Sequence, residues 1–226
     1  MVSNLSSSEI IVIGGRPDGH GRVVLEVALQ LAGTVVLGFL DDNPSPPELC
    51  GVPRLGPSEA WSTYLCTDAV RFHIAIGHNP TRRRIAQHIL REGGQLASVI
   101  HPQAVVYPSV HVGMGCFVGA GVILCPGVVI GSNVIINHGA ILEHDCRLGD
   151  YVNVSTGFVT GGRVTLEEGV FAGIGAKVIP DVTVRRWTYL GAGTVVTHDT
   201  QSHSLYVGVP ARRVRALGND DEPRTP

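Results

Sequence analysis

The sequence is short of charged residues, of aromatic residues and of long apolar runs. Of its 226 residues 16% are charged and 5% are aromatic, and the formal net charge is −2. Such a balance gives no field that would attract nucleic acid or an anionic membrane surface, so neither partner is expected. No run approaches the roughly 18 consecutive apolar residues of a membrane-spanning helix, so no membrane insertion is expected.

Signs of secretion are also absent from the sequence. Residues 1–9 contain neither a basic segment nor an apolar segment of the kind found in signal peptides. The cysteines number five, and an odd count without a secretory signal suggests reduced thiols and a cytoplasmic protein. Cys116 and Cys146 are expected in the core as small residues. The three arginines at 82–84 are the one basic cluster, and they are expected on a solvated helix face.

What the sequence has in abundance is a six-residue repeat. Seventeen positions spaced six apart run from 100 to 196, and sixteen of them are apolar. With 44% hydrophobic residues, about seven or eight would be apolar by chance. The exception is Thr160. This period fits neither a helix nor an ordinary sheet, and it predicts a parallel β-helix built from hexapeptide repeats.

The seventeen positions form a first column of the repeat, and the positions four residues after them form a second column of small residues. It includes Cys116, Val134, Ala140 and Val152, and glycine often follows the first column. Two inward columns with glycine at the corners suit a narrow triangular prism. Three hexads make one coil of 18 residues, so residues 100–196 give between five and six coils, roughly 26 Å in length.

The chain before the repeat has a different pattern. Alternating strands and helices in residues 1–98 predict a small, parallel, Rossmann-like α/β sheet. Residues 99–197 then form the β-helix, and residues 198–226 form a C-terminal segment whose polar tail, from Gly218, is expected to be disordered. The expected strands are residues 10–13, 35–40 and 71–77, and the expected helices are residues 24–32, 60–65 and 80–92.

A glycine-rich turn, residues 14–21, lies between the first strand and the first helix. Backbone N–H groups at such a turn can hold a phosphate, although the spacing differs from G-x-G-x-x-G. Asp41 and Asp42 end the next strand, where related folds place an acid that binds a ribose hydroxyl. Two interpretations stay open, namely a nucleotide site and a tight turn beside a solvated strand end.

The segment at residues 137–145 carries the strongest signal for catalysis. His138 and His144 occupy the same hexad position on successive faces of the prism, so they are not expected to bind one metal ion within one chain. Glu143 and Asp145 flank His144. A carboxylate that holds one imidazole nitrogen leaves the other free to act as a general base. The alternative is an ordinary surface histidine.

In five ordered segments, residues 11–21, 39–42, 75–79, 137–146 and 207–211, the chain resembles hexapeptide-repeat acyltransferases of bacterial sugar biosynthesis. These enzymes carry an N-terminal nucleotide-sugar domain before a left-handed β-helix. The family includes N-acetyltransferases for nucleotide-linked 4-amino-sugars of the bacillosamine and perosamine type, and proteins named sialic acid O-acetyltransferases. The resemblance covers nearly the whole chain.

The resemblance implies roles for individual residues. His144 matches the catalytic base, Asp145 the carboxylate that orients it, and Asn137 an asparagine near the reacting amine. The positions that match substrate-binding residues are Gly15, Gly19, His20, Gly21, Asp41, Asp42 and Gly77. The positions that match the acetyl-CoA site are Asn153, which replaces a histidine of some relatives, Gly162, Ile174 and Ala192.

The function implied by the resemblance is transfer of an acetyl group from acetyl-CoA to the 4-amino group of a nucleotide-linked amino-sugar, without a metal. A homotrimer with active sites between prisms is expected on the same ground. Three alternatives remain, namely O-acetylation of a sugar hydroxyl or of sialic acid, a zinc-dependent β-helix protein resembling carbonic anhydrase, and a non-catalytic nucleotide-sugar binder.

Overall fold

The structure, a computed structural model, describes residues 8–44, 46–65 and 69–218. The expectations for a signal peptide and for the polar tail fall on residues that lie outside this part of the chain, apart from positions 8, 9 and 218. Within it, a small α/β unit precedes a long β-helix, so the predicted fold class is confirmed.

The α/β unit is built on a six-stranded sheet in the order β3-β4-β2-β1-β5-β6. Its pairs are parallel except for β3 and β4, which form a short antiparallel pair that the sequence analysis did not predict. The strands are β1 (Ser8–Ile13), β2 (Thr34–Leu40), β3 (Glu48–Leu49), β4 (Val52–Gly56), β5 (Val70–Ile74) and β6 (Gln95–Leu96). The helices are α1 (His20–Ala28), a 3-10 helix (Ser58–Tyr64) and α2 (Asn79–Arg91).

Strand β1 is buried on both faces, as expected for a central parallel strand. Ile10 and Val12 pack into one apolar cluster with α1, whereas Ile11 and Ile13 pack into another with the 3-10 helix and α2. Two expected boundaries are wrong. Helix α1 ends at Ala28 because the chain turns ahead of Gly33, and β5 ends at Ile74 because residues 75–78 form a loop.

The β-helix consists of two-residue strands, each paired in parallel with the strand 18 residues further on. Its seventeen strands make five complete coils and two thirds of a sixth, which confirms the predicted coil count. They are β7 (Val99–Ile100), β8 (Val105–Val106), β9 (His111–Val112), β10 (Phe117–Val118), β11 (Ile123–Leu124), β12 (Val129–Ile130), β13 (Ile135–Ile136), β14 (Ile141–Leu142), β15 (Arg147–Leu148), β16 (Asn153–Val154), β17 (Val159–Thr160), β18 (Thr165–Leu166), β19 (Phe171–Ala172), β20 (Lys177–Val178), β21 (Thr183–Val184), β22 (Tyr189–Leu190) and β23 (Val195–Val196).

Three sheets form the faces of the prism, and three edges join them. The first sheet contains β7, the second β8 and the third β9, each with every third strand that follows. The first edge, between the first and second sheets, includes residues 137–140, 173–176 and 191–194. The second edge, between the second and third sheets, includes residues 125–128, 143–146, 161–164 and 179–182. The third edge, between the third and first sheets, includes residues 149–152, 167–170 and 185–188.

Both repeat columns point inward. From position 116 onward every member of the two columns is buried, including Cys116, Cys146 and Thr160. The chain then adds β24 (Ser204–Val207) to the first sheet beside β22 and folds back as β25 (Arg212–Ala216). The repeat therefore determines the core of the prism, and the C-terminal hairpin covers one end of its first sheet.

The α/β unit packs on the first sheet of the prism. Val99, Phe117 and Ile135, at the same position in three successive coils, share an apolar cluster with Val24 and Leu25 of α1. This contact places the carboxyl ends of β1 and β2 beside the prism, which is where the glycine-rich turn lies.

The prediction that the three arginines lie on a solvated helix face is wrong, because Arg82 connects the α/β unit to the prism. Its side chain is fully buried because it lies on the same stripe of α2 as Ala86 and Ile89, which pack into the core. Arg83 is half-buried against Trp187 and pairs with Glu168, so of the three arginines only Arg84 is exposed. The Arg82 guanidinium donates to Asn133 O, Ile76 O, Gly77 O, Asn79 Oδ1 and Tyr151 O.

Candidate active site

His144 and Asp145 form a dyad on the second edge of the prism. The Nδ1 atom of His144 lies 2.9 Å from Asp145 Oδ2. Asp145 has a left-handed backbone (φ 61°), and its N–H donates to Pro126 O at 3.0 Å, so the carboxylate is held at the corner. A neutral imidazole that donates from Nδ1 to this carboxylate presents an unprotonated Nε2, which is the form required of a general base.

Gly162, in the next coil, lies directly against the ring of His144. A Cβ at this position would come within 2.5 Å of His144 Nε2 and 2.6 Å of Cε1, so any other residue would displace the ring. The next residue, Arg163, donates its N–H to His144 O at 2.9 Å. The structure thus places Gly162 beside the candidate base, on a different edge from Ile174 and Ala192.

Thr160, the polar exception in the inward column, lies beneath the dyad. Its Oγ1 accepts a hydrogen bond from Glu143 N at 3.1 Å and lies 3.3 Å from Cys146 Sγ. Glu143 and Cys146 are the first and last residues of the corner that carries His144 and Asp145. A buried hydroxyl therefore ties this corner to the core of the next coil, which a valine at this position cannot do.

The thiols of the prism are not activated. Burial raises the pKa of the Cys116 thiol to about 12 and raises the pKa of Cys146. Burial also raises the pKa of Cys125, and the neighbouring Glu143 carboxylate raises it further. Because the thiolate is the nucleophilic form, these cysteines are poor candidates for a covalent intermediate.

Asn137 lies on the first edge, at the opposite end of β14 from His144. Its Oδ1 is 3.1 Å from His138 Nδ1 and accepts the His138 N–H at 3.4 Å. His138 and His144 are therefore on different edges, as the register predicted. Within one chain the structure does not bring Asn137 and the dyad together.

The residues that match the acetyl-CoA site also lie in different parts of the prism. Ile174 and Ala192 occupy the same position of the first edge in successive coils, and the Ile174 side chain is 66% exposed. Asn153 lies on β16 in the first sheet, is buried, and donates from Nδ2 to Gly77 O at 2.9 Å. Asn153 therefore holds the loop at Gly77 against the prism.

The glycine-rich turn is fixed by the acid at the end of β2. Asp41 is buried and accepts hydrogen bonds from Gly15 N and Asn43 N, each at 2.8 Å. Asp42 is exposed, and its Oδ1 accepts the Ser58 N–H at 2.8 Å. Asp41 therefore shapes the loop, whereas Asp42 is the member of the pair that a ligand can reach.

The first turn of α1 starts at this loop without a capping side chain. Gly19 occupies the N-cap position and makes no side-chain hydrogen bond. Gly21 must be glycine because a Cβ there would collide with the carbonyl oxygen of Gly14. Uncapped N–H groups at a helix start, combined with the helix dipole, are suited to a phosphate group.

His20 is the first residue of α1 and faces the prism. Its ring packs edge-on against Phe117 with 4.7 Å between centroids, and its buried Nε2 has no hydrogen-bond partner within the described part of the chain. Burial, with smaller contributions from the charges of His73, Arg82 and His138, lowers the pKa of His20 to about 3. His20 is therefore neutral near pH 7, and its Nε2 is available to a bound group.

The described residues contain no group of three or more His, Cys, Asp or Glu side chains arranged to bind a metal ion. None of the helices in this part of the chain has the length and apolar character needed to cross a membrane. One cavity of about 360 Å³ lies between α1 and the first edge, and it is lined by Arg22, Val23, Glu26, Val27, Gln30, His101 and His138.

Sequence reasoning missed Arg82, which holds the loop that contains Gly77. The available signal was its spacing, since positions 82, 86 and 89 form one face of a helix. It also missed the side-chain pair of Arg163 and Asp181 beside the dyad. These two residues lie 18 apart, which is one coil, so their contact follows from the repeat.

Comparison with known proteins places these features in a family. A family model described as the PglD N-terminal domain matches residues 9–89. One curated relative, the bifunctional protein GlmU of Rubrobacter xylanophilus, is 37% identical over 78 residues, and the chain covers only 17% of its length. It spans 36% of a serine acetyltransferase of Bacillus licheniformis, with 38% identity over 77 residues.

Two solved structures match over nearly their whole length. The acetyltransferase domain of PglB from Neisseria gonorrhoeae is 31% identical, with a TM-score of 0.86 and coverage of 91% of this chain and 99% of that one. A histidine-to-alanine variant of GDP-perosamine N-acetyltransferase from Caulobacter crescentus, solved with CoA and GDP-perosamine, is 37% identical, with a TM-score of 0.86 and coverage of 94% and 100%. The chain therefore belongs to the family of bacillosamine- and perosamine-type sugar N-acetyltransferases, which are acyltransferases with an α/β domain before a left-handed β-helix.

Proposed function

We propose that this protein transfers the acetyl group of acetyl-CoA to the 4-amino group of a nucleotide-linked amino-sugar. The observation that carries the proposal is the dyad, in which His144 Nδ1 is held 2.9 Å from Asp145 Oδ2 and Nε2 lies over a glycine. The relative from Caulobacter was solved with CoA and GDP-perosamine, and a PglB acetyltransferase domain was solved with acetyl-CoA.

His144 acts as the general base in the proposed reaction. The amine nitrogen attacks the thioester carbonyl carbon, a C–N bond forms, and Nε2 accepts the proton that the nitrogen loses. The C–S bond then breaks, and the departing CoA thiolate takes the proton from the His144 imidazolium, so CoA leaves as a thiol and the neutral base is restored. Asp145 stabilises the imidazolium, and a backbone N–H at a corner can stabilise the oxyanion. The raised pKa values of Cys116 and Cys146 favour direct transfer over an acyl-enzyme.

The α/β unit binds the nucleotide in this proposal. The uncapped start of α1 suits the phosphates, and the exposed carboxylate of Asp42 suits a hydroxyl or amino group of the nucleoside. His20 and the loop at Gly77 face the prism between these groups and the first edge, so they would contact the sugar.

A homotrimer is proposed because the site residues of one chain lie on two edges. The dyad lies on the second edge, whereas Asn137, Ile174 and Ala192 lie on the first. Rotation about a three-fold axis parallel to the prism can bring the first edge of one copy to the second edge of the next. Acetyl-CoA would then lie between two copies, along the exposed Ile174 side.

The test measures CoA thiol release from acetyl-CoA with a panel of UDP-, dTDP- and GDP-linked 4-amino-sugars and their 4-hydroxy counterparts. Turnover of at least one amino-sugar is expected. Turnover of the hydroxy compounds alone would show O-acetylation instead, and binding without thiol release would show a non-catalytic binder.

His144→Ala tests the base. We expect kcat to fall by about 10²- to 10⁴-fold, because proton removal from the amine loses its acceptor. His111→Ala, at an exposed histidine of β9, is the control and should retain wild-type kcat. Melting temperatures of both variants exclude misfolding, and wild-type turnover by His144→Ala would show that His144 is not the base.

A further inference from the structure

Asp145 of the dyad and two further charged residues with unusual backbone conformations stack along the second edge. Asp145, Arg163 and Asp181 occupy the same corner position in successive coils, with left-handed φ values of 61°, 59° and 64°. Side chains resist this conformation, and glycine accepts it freely. On the first edge the same position is glycine in five successive coils, namely Gly121, Gly139, Gly157, Gly175 and Gly193.

Arg163 and Asp181 form a bidentate ion pair. Arg163 Nε lies 2.6 Å from Asp181 Oδ1, and Arg163 Nη2 lies 2.8 Å from Asp181 Oδ2. The two side chains are 54% and 61% exposed, and an exposed ion pair contributes little to stability. The exposed pair therefore adds little to the stability of the prism.

Backbone hydrogen bonds connect this pair to the dyad. Arg163 N donates to His144 O at 2.9 Å, and Asp181 N donates to Gly162 O at 3.1 Å. Gly162 is the residue on which the His144 ring rests. The backbone of Arg163 and Asp181 thus holds the turns that carry and support the base, and the ion pair of their side chains joins these two turns to each other.

The charges of the pair and the dyad also interact. The hydrogen bond and charge of Arg163 lower the pKa of Asp181, and the His144 imidazole adds to that lowering. Asp181 raises the pKa of Arg163, and Asp145 adds to that rise. Several charged or titratable groups surround His144. Glu143 and Asp145 lie on its own corner, and Arg163 and Asp181 lie on the two following coils. Cys125, on the preceding coil, interacts with Glu143.

We propose that Arg163 and Asp181 are positioning residues for the acetyl-transfer base. Asp181 stabilises the His144 imidazolium that forms as the amine loses its proton, and Arg163 holds Asp181 and limits the negative charge around the ring. This inference rests on the proposed function, since it assigns the pair a task only if His144 removes a proton.

The test compares kcat, KM and the pH dependence of kcat/KM for wild type, Asp181→Asn and Arg163→Gln, using the nucleotide amino-sugar that the panel identifies. For Asp181→Asn we expect kcat to fall about three- to tenfold, with KM changed less than about twofold. The acid limb of the profile should move to lower pH in Asp181→Asn, since a carboxylate near the imidazolium is lost. It should move to higher pH in Arg163→Gln, since a cation is lost.

An exchanged pair, Arg163→Asp with Asp181→Arg, separates this role from a structural one. It can restore the ion pair and the melting temperature, but it reverses the charges beside His144, so kcat should stay low. Recovery of kcat together with the melting temperature would overturn the proposal, as would wild-type pH profiles in both single variants.

Arg185→Gln is the matched control. It removes another ion pair between coils, in which Arg185 Nη1 lies 3.0 Å from Glu167 Oε1, away from the dyad. Its kcat and pH profile should be those of wild type. A lack of CoA release by the wild-type protein with every amino-sugar of the panel would contradict the proposed function itself. An inactive His144→Ala variant with wild-type behaviour of the pair variants would contradict only the role of the pair.

Discussion

At the scale of single residues, Thr160 links the core of the prism to the chemistry at its surface. Its hydroxyl is buried, yet it has partners, because it accepts from Glu143 N and contacts Cys146 Sγ. The hydroxyl of Thr194, also inside the prism, is buried with no hydrogen-bond partner in the described part of the chain. The same residue type thus occurs in the same interior with and without partners.

We predict opposite effects for valine at these two positions. Thr160→Val should lower the free energy of unfolding by about 1–2 kcal/mol, since Glu143 N–H loses its acceptor. It should also lower kcat by about three- to tenfold, since the corner that positions His144 is loosened. Thr194→Val should be neutral or stabilising by up to about 1 kcal/mol. Urea unfolding and CoA release measure these effects, and equal behaviour of the two variants would contradict this role of Thr160.

The residues of the candidate site were predictable to different degrees. His144 and Asp145 are adjacent in sequence, and the hexapeptide register alone assigned them to a corner. The contact of Gly162 with the His144 ring lies 18 residues away, and it depends on a side-chain rotamer that no pattern contains. Asp41 matched the expected acid, but its carboxylate binds Gly15 N, which only the folded loop reveals.

At the scale of elements, α2 joins the two parts of the chain through its first turns. Asn79 donates to Gly169 O at 3.1 Å, and Arg82 donates to carbonyl groups of both the α/β unit and the prism. The guanidinium is fully buried, and so are its hydrogen bonds to Asn133 O and Tyr151 O, so water cannot easily replace it at these two acceptors.

Arg82→Met is predicted to lower the free energy of unfolding by about 3 kcal/mol or more. Methionine fills part of the space, but it removes the donor from the buried carbonyl groups of Asn133 and Tyr151. Arg84→Met, on the exposed side of α2, is the control and should change stability by less than about 0.5 kcal/mol. Urea unfolding of both variants measures the difference, and a small loss in Arg82→Met would show that the junction does not depend on this side chain.

The strands of the β-helix could be predicted from the sequence more accurately than the strands and helices of the α/β unit. Each hexad has the same two inward positions, so an error at one coil would break the register of all the others. The short pair β3–β4 has no such constraint, because its two-residue strand Glu48–Leu49 is too brief to show a period. Helix α1 ended early because the turn at residues 29–33 outweighed its apolar spacing.

At the scale of the whole molecule, the chain carries two incomplete halves of a site. The second edge has the candidate base His144 and the residues that contact it, and the first edge has Asn137 and the exposed Ile174. Strand β14 separates the two, and the prism cannot fold so that its edges meet. The proposed trimer would bring Asn137 of one copy to His144 of the next.

Mixing two inactive variants tests this arrangement. His144→Ala keeps an intact first edge, and Asn137→Ala keeps an intact second edge. In a trimer with random mixing, roughly a quarter of the sites would combine the two intact edges, so activity should return to about a quarter of wild type after the variants are co-expressed. A double variant, His144→Ala with Asn137→Ala, co-expressed with His144→Ala is the control and should give no recovery. Sedimentation should report a trimer for each sample, and a lack of recovery in mixed trimers would contradict a site shared between copies.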